Sequence, residues 1–320
     1  MGAVAWVESP LQLLNAIEWG ASQPVPLAIV PRARVMQLDH TAEVLRPHVP
    51  PSVTIMPPAR SALQSPFSRA QVKVTGDAMS GQVRAVLTVA RPRQVVLVDD
   101  GAITLALAAQ LGSGAALARP GIVESGLSRV LGARAAARLR SLAGAGRLTL
   151  FTAYSTADAV AALGALGARV MSNDFAWLRG ADLNLGMGLT ESVVLGSALA
   201  SDGFIEPRAQ LAWVSGYASQ WGHVTYLPHR REEGSWLAQV AAIDGVTVLR
   251  PGLPAELTLA AARVARVAML PSSLAATLSG VLPSQVRIHV DPVQDDWWTT
   301  RADTHLRATM EAIVNERGNQ

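Results

Sequence analysis

Gln94-Val95-Val96-Leu97-Val98-Asp99-Asp100-Gly101 is the stretch that decides how this chain reads. Four of its first five residues are apolar and β-favouring. That predicts a strand buried on both faces, as in a parallel sheet. The acidic pair falls at the strand's carboxyl end, where open α/β sheets hold their ligands. Gly101 permits a tight turn and a close approach of backbone to a substrate. A plainer alternative stands beside this one: Asp99 or Asp100 caps a helix that begins near Ala102.

Working outward, strands and helical patterns alternate. Strands are predicted at Val4–Glu8, Pro26–Val30 and Val53–Met56, with helices from Ser9-Pro10 onward and over Val35–Leu45. Pro57–Arg69 reads as loop, Gly76–Ala90 as a helix leading into the strand at Gln94, and Ala102–Leu111 as the next helix. The stretch from Gly112 to Gly146 reads as helical in its middle and is followed by a strand at Arg147–Thr152. The pattern then weakens, with a helix over Val160–Ala168, a short strand at Arg169–Ser172 and a connector from Asn173 to Leu189. A second series starts at Val193-Val194-Leu195-Gly196-Ser197 and ends in a helix over Arg301–Val314. Alternation of this kind argues for parallel βαβ units. It predicts an α/β chain of two doubly wound halves facing across a cleft. The expected division is 1–180, 181–300 and a final helical segment, 301–320, packing back on the first domain.

Composition narrows the function classes. The 320 residues have room for two domains, and half of them are hydrophobic. There is no cysteine, which excludes disulfides, thiolate metal sites and a cysteine nucleophile. Net charge is +3, below the basicity usual for nucleic-acid binding, so no nucleic-acid partner is expected. Of 27 basic residues only Lys73 is a lysine. Arg129, Arg134, Arg138, Arg140 and Arg147 gather in one segment, either a solvated helix face or a surface for an anionic acceptor or membrane. The opening Met1–Glu8 has no basic n-region and Trp6 stands where a myristoylation site needs Ser or Thr. No apolar run reaches 18 residues without a charge. The expectation is a cytoplasmic protein with, at most, peripheral contact at the inner membrane face. No Gly-x-Gly-x-x-Gly follows the first strand and no P-loop appears, against a dinucleotide enzyme or a P-loop NTPase.

Three further stretches could carry chemistry. In Tyr226-Leu227-Pro228-His229-Arg230-Arg231-Glu232 a strand end presents His229 beside two arginines that would attract phosphate; alternatively the imidazole only packs at a loop. In Leu270-Pro271-Ser272-Ser273-Leu274 two hydroxyls open a helix, a ready anion site or a simple N-cap. Glu256, in Gly252-Leu253-Pro254-Ala255-Glu256, could accept from ribose hydroxyls or be a first-turn acid. Gly196 and Ser197 form one more strand-to-helix turn.

Asp99-Asp100-Gly101, Pro228-His229 and Ser272-Ser273, in that order at predicted strand ends, resemble the bacterial sialyltransferases, which share D/E-D-G, H-P and Ser-Ser/Thr motifs. Glu8-Ser9-Pro10-Leu11-Gln12-Leu13-Leu14 also resembles the first strand–helix junction of glycosyltransferase family 52 and the polysialyltransferase-like group. The resemblance runs from residue 4 to about residue 292. It departs from the family at His229-Arg230, where H-P is expected and the proline comes before the histidine.

The resemblance implies a GT-B fold and an inverting, metal-independent transfer of sialic acid from CMP-sialic acid to a glycan or glycolipid acceptor. No cofactor beyond the donor is implied. Asp100 is the implied base, with Asp99 second. His229 would serve the leaving phosphate, and Ser272, Ser273 and Arg230 would hold it. Glu256, Gly196 and Ser197 fall on the nucleotide side, and Ser9, Pro10, Gln12 and Gly101 on the acceptor side. Two alternatives remain open: another CMP-nonulosonic acid or CMP-Kdo as donor, and a non-catalytic nucleotide- or glycan-binding protein on the same scaffold.

Overall fold

A computed structural model describes residues 2–183 and 185–318. The chain divides into two compact units: Met1–Ala181 with Gly252–Pro254, and Asp182–Pro251 with Ala255–Gln320.

The first unit opens with β1 (Ala3–Val7), α1 (Pro10–Ala21), β2 (Leu27–Pro31), α2 (Met36–Leu45) and β3 (Val53–Ile55). It continues through β4 (Val72–Thr75), α3 (Gly81–Val89), β5 (Gln94–Val98), α4 (Ala102–Gly112) and α5 (Gly126–Gly144). β6 (Leu148–Thr152), α6 (Asp158–Ala165), β7 (Arg169–Ser172) and α7 (Ala176–Gly180) complete it. Its seven strands are all parallel, in the order β3-β2-β1-β4-β5-β6-β7. Strand order reverses between β1 and β4. Because each crossover is right-handed, the helices fall into two layers: α1 packs with α2 and α7, while α3 packs with α5 and α4 with α6. The core between the second layer and the sheet is aliphatic, from Val83, Val86 and Leu87 to Leu107, Leu139 and Leu142.

The second unit contains β8 (Ser192–Leu195), α8 (Ala198–Ser201), α9 (Pro207–Trp221), β9 (Val224–Leu227), α10 (Gly234–Ala241) and β10 (Val246–Val248). After α11 (Ala255–Ala260) come β11 (Arg266–Met269), α12 (Leu274–Val281), β12 (Arg287–Val290) and α13 (Thr304–Gly318). Its five parallel strands run β10-β9-β8-β11-β12, so order reverses between β8 and β11. Both units are therefore doubly wound Rossmann-like sheets. No helix among the described residues is long and apolar enough to cross a membrane.

Several elements depart from the sequence expectation, among them α7 inside the stretch expected as a connector. β4 lies at the centre of the first sheet, yet Val72-Lys73-Val74-Thr75 was not expected as a strand. Its lysine hides it. Lys73 is fully enclosed, and its Nζ donates to the carbonyl oxygens of Phe67, Ser68 and Ala70, the last two at 2.9 and 2.8 Å. Those carbonyls end a short 3₁₀ turn, Pro66–Arg69, inside the stretch expected as loop. An ammonium so solvated by backbone can be buried where a lone one cannot, although burial lowers its pKa to about 8. The helix expected from Gly76 begins only at Gly81. Residues 76–80 are instead a loop that carries Asp77 past the end of β4.

Candidate active site

In the first unit, the loops after β1, β4 and β5 bring Glu8, Asp77 and Asp100 to the carboxyl edge of the sheet, beside the reversal point where such sheets hold ligands. Asp100 is half-buried and held at both oxygens. The Ser9 hydroxyl donates to Oδ1 and Gln12 Nε2 to Oδ2, each at 2.8 Å. Thr104 Oγ1 accepts from the Asp100 backbone N–H at 2.9 Å. Gly101 follows at φ 65°, ψ −141°, a conformation only glycine adopts without strain.

Ser9 does two jobs. Its oxygen caps α1 by accepting from the Gln12 N–H at 3.2 Å, with Pro10 at the first helical position, and its hydroxyl hydrogen aims at Asp100. Gln12 is 1% exposed and also ties back to β1, since its Oε1 accepts from the Glu8 N–H at 2.9 Å. Gly76 makes room for it: a Cβ there would stand 2.3 Å from Gln12 Cγ.

Asp99 points the other way. It is fully buried, and its Oδ2 accepts from the Ala153 N–H at 2.7 Å. Burial pushes its pKa up to about 6, against the opposing pull of Thr152, Ala153 and Thr104. Its carbonyl accepts from Asn15 Nδ2, and Asn15 Oδ1 accepts in turn from Asn173. Of the adjacent acids, Asp100 is the one at the accessible edge.

Two more acids were missed from sequence. Glu8 accepts from Trp6 Nε1 at 2.7 Å and from Ser80 Oγ at 2.8 Å, and pairs with Arg32 at 3.0 Å. Asp77 accepts from the Met79 N–H at 2.8 Å and pairs with Arg119. Burial raises the Asp77 pKa, Arg119 opposes that, and the charges of Asp100 and Glu8 add to it. The sequence signals for Glu8 are its place at the end of the expected first strand and at the head of the Glu8–Leu14 junction, neither of which marked it as a site residue. Asp77 had none while β4 went unrecognised. Arg119 lies in the 113–125 loop, which Arg84 anchors by donating to the Leu117 and Ser128 carbonyls and pairing with Glu124 at 3.1 Å. Among the described residues no group of three or more histidine, cysteine or acidic side chains is arranged to hold a metal ion.

In the second unit, Gly196-Ser197 follows β8, His229 follows β9, and Ser272-Ser273 follows β11. The glycine and serine pairs thus flank the second reversal point. His229 is half-buried, and its Nδ1 accepts from the Arg231 N–H at 3.2 Å, which leaves Nε2 to carry the proton of the neutral ring. Burial lowers its pKa, and the cationic neighbours Arg231 and Arg230 add to this. Arg230 is exposed, and Arg231 pairs with Asp202 at 2.7 Å.

Beneath the histidine loop lies a buried carboxylate that sequence reading had not singled out. Glu232 accepts from the His229 N–H at 2.7 Å, Tyr226 OH at 2.7 Å and Gln210 Nε2 at 3.0 Å. Burial raises its pKa. Gly196 is packed against this group: a Cβ there would lie 2.1 Å from Glu232 Oε2 and 2.7 Å from the His229 nitrogen.

The remaining expected residues have local partners. Ser197 caps α8, its Oγ accepting from the Leu199 N–H at 3.3 Å. Ser272 Oγ accepts from the Leu274 N–H at 3.3 Å, and Ser273 stands at the N-cap of α12. Glu256 is 5% exposed, accepts from Thr277 Oγ1 at 3.0 Å, and is pushed up in pKa by burial. So the first unit gathers Ser9, Pro10 and Gln12, after β1, and Asp100 and Gly101, after β5, at the carboxyl edge of its sheet. The second places Gly196, His229 and Arg230 around one loop and Ser272 and Ser273 at the end of β11, on the other side of β8.

Neither a family model nor a curated protein sequence matches the chain. Among solved structures, it is similar to the α/β-galactoside α-2,3-sialyltransferase of the luminous marine bacterium Photobacterium phosphoreum, with 9% identity and a TM-score of 0.53 over 98% of this chain and 95% of that one. It is also similar to the E. coli heptosyltransferase WaaC with ADP, with 12% identity and a TM-score of 0.47 over 99% and 98% of the two chains. Two doubly wound parallel sheets of seven and five strands, in a likeness that spans both chains, make the fold α/β of the GT-B class.

Proposed function

We propose that this protein is an inverting, metal-independent glycosyltransferase that moves sialic acid from CMP-sialic acid to a glycan hydroxyl. The observation that carries the reading is Asp100: a half-buried carboxylate at a strand end, oriented by Ser9 and Gln12. An acceptor hydroxyl is a weak nucleophile and needs a base to take its proton during attack. In this reading Asp100 takes that proton as the acceptor oxygen bonds to the anomeric carbon. The bond from that carbon to the phosphate oxygen breaks, and its electron pair leaves on CMP. His229, neutral and protonated at Nε2, donates a hydrogen bond to the departing phosphate. The helix start at Ser272-Ser273 supplies further donors.

The proposal extends to a peripheral contact with anionic membrane through the start of α5. There Leu127 and Val130 are exposed beside Arg129 and Arg134, a pattern suited to the interface.

CMP release from CMP-sialic acid in the presence of candidate glycans tests the reading. Asp100→Asn is expected to lower kcat about a hundredfold or more with donor binding retained. Undiminished turnover in that variant would remove the base. CMP-Kdo turning over in preference to CMP-sialic acid would move the donor assignment. Tight CMP binding without turnover on any acceptor would favour a binding protein, a reading kept open by His229-Arg230.

A further inference from the structure

We propose that the amino-terminal edge of the first sheet carries a second binding site, for a small compound bearing more than one phosphate charge. A cavity of about 700 Å³ opens there, lined among others by Gln71, Arg93, Gln94, Arg147, Thr149 and Arg169. That volume is within the range of small-molecule sites. No carboxylate lines it. The ion pairs among the described residues use Arg32, Arg84, Arg119 and Arg231, so none of the three lining guanidiniums is neutralised by a carboxylate.

The topology gathers them. Arg93 immediately precedes β5, Arg147 immediately precedes β6, and Arg169 opens β7. These strands are neighbours in the sheet, and adjacent strands lie about 4.8 Å apart. Gly146, at φ 64°, makes the turn that delivers Arg147 to this edge. Three like charges brought to one cavity repel each other, and a bound polyanion would turn that repulsion into attraction.

The chemistry of the lining restricts the ligand. Four backbone donors at this edge are already committed. The Arg93 and Gln94 N–H groups donate to the Gln71 carbonyl, Val95 N–H to Arg147 and Arg147 N–H to Leu142. Recognition therefore falls to side chains. Planar guanidinium forks match phosphate oxygens in bidentate fashion, and Gln71, Gln94 and Thr149 can meet hydroxyls. No aromatic side chain lines the cavity, so there is no platform on which a nucleobase would stack. An oligophosphate or sugar phosphate fits better than a nucleotide. The site is also separate from the carboxylates described above. It lies at the other end of β5, whose five residues span roughly 17 Å, and it stands whether or not the transferase reading does.

Calorimetric titration of the full chain with inorganic pyrophosphate, at constant ionic strength, tests this. Saturable one-to-one binding is expected. Each of Arg93→Gln, Arg147→Gln and Arg169→Gln should weaken it about tenfold, the corresponding Arg→Lys variants less so. Arg208→Gln, an exposed arginine of the second unit, should leave it unchanged. Ligand-free unfolding midpoints establish that each variant is folded. In a parallel arm, phosphatidic acid vesicles whose capture pyrophosphate competes would identify a lipid headgroup as the source of the phosphate. Absence of saturable binding, or equal weakening by Arg208→Gln, would overturn the site.

Discussion

Gln12 and Asp100 lie 88 residues apart and meet through a 2.8 Å hydrogen bond that fixes one face of the carboxylate. The same amide accepts from the backbone of Glu8, so α1, β1 and the turn after β5 are held to one point. If Asp100 is the base proposed above, Gln12→Leu is expected to lower kcat roughly tenfold or more through its misplacement. It also leaves the Glu8 N–H without its partner, at about 1–3 kcal/mol. Ser9→Ala should lower kcat similarly, and because both residues orient one group, the double variant should fall short of the product of the singles. Steady-state kinetics of the three variants, with chemical denaturation in parallel, separates the two effects.

Two glycines are fixed by what lies against them. Gly76→Ala would drive a Cβ into Gln12, and Gly196→Ala into Glu232 and the His229 backbone. Both should destabilise by about 1–3 kcal/mol. The consequences differ by neighbour. Gly76→Ala is expected to depress kcat by displacing Gln12. Gly196→Ala should weaken CMP binding, as read by titration calorimetry, by displacing the histidine loop.

Stability should be greater in mildly acidic solution than above neutrality. Burial raises the carboxyl pKa values of Glu18, Asp77, Asp99, Glu232 and Glu256, with Glu18 reaching about 7 and Asp99 about 6. A carboxyl whose folded pKa exceeds its unfolded value holds a proton that the unfolded chain has lost. Its contribution is therefore present at low pH and disappears as pH climbs through the folded value. For Glu18 the rise from 4.5 to about 7 corresponds to roughly 3 kcal/mol at most. His229, held neutral, acts oppositely below its ordinary 6.5. Urea midpoints should fall from pH 5.5 to pH 8. Glu18→Gln, which still accepts from one of the Trp177 and Leu178 N–H groups that Glu18 caps, should flatten the slope. A midpoint that rises over this range would contradict the assignment.

Arg84 is 4% exposed and anchors the 113–125 loop, which also carries the arginine paired with Asp77. Arg84→Met removes that anchor and takes away the cation shared by the Leu117 and Ser128 carbonyls and Glu124. The loop should then exchange amide hydrogens faster and be cut sooner by trypsin at Arg119, while the sheet strands keep their protection.

The parts of this structure that were legible in sequence are those whose signal is local. Gln94–Val98 announced itself as a buried strand, and the acids, the histidine and the serines were placed at strand ends by the change of pattern after each run. What was not legible depends on distant partners. Val72–Thr75 is only four residues long and contains a lysine, and the carbonyls that allow its burial come from the turn just before it, a stretch whose pattern reads as loop. Asp77 went unseen with it. Glu232 sits three residues from His229, yet its part is set by Tyr226 and by Gln210 on α9. That Asp99 turns inward while Asp100 stays at the accessible edge shows only in the contact of Asp99 with Ala153.

Lys73 is the sole lysine in the chain, and its amine is closed in by three carbonyls beneath the Phe67 ring. The folded surface of the described residues thus presents no side-chain amine to solvent. An amine-selective acylating reagent added to the native protein would find no accessible lysine to modify until β4 and the adjoining turn separate. Acquisition of a single acyl mass at residue 73 is therefore a direct chemical stopwatch for opening of the first sheet at its centre.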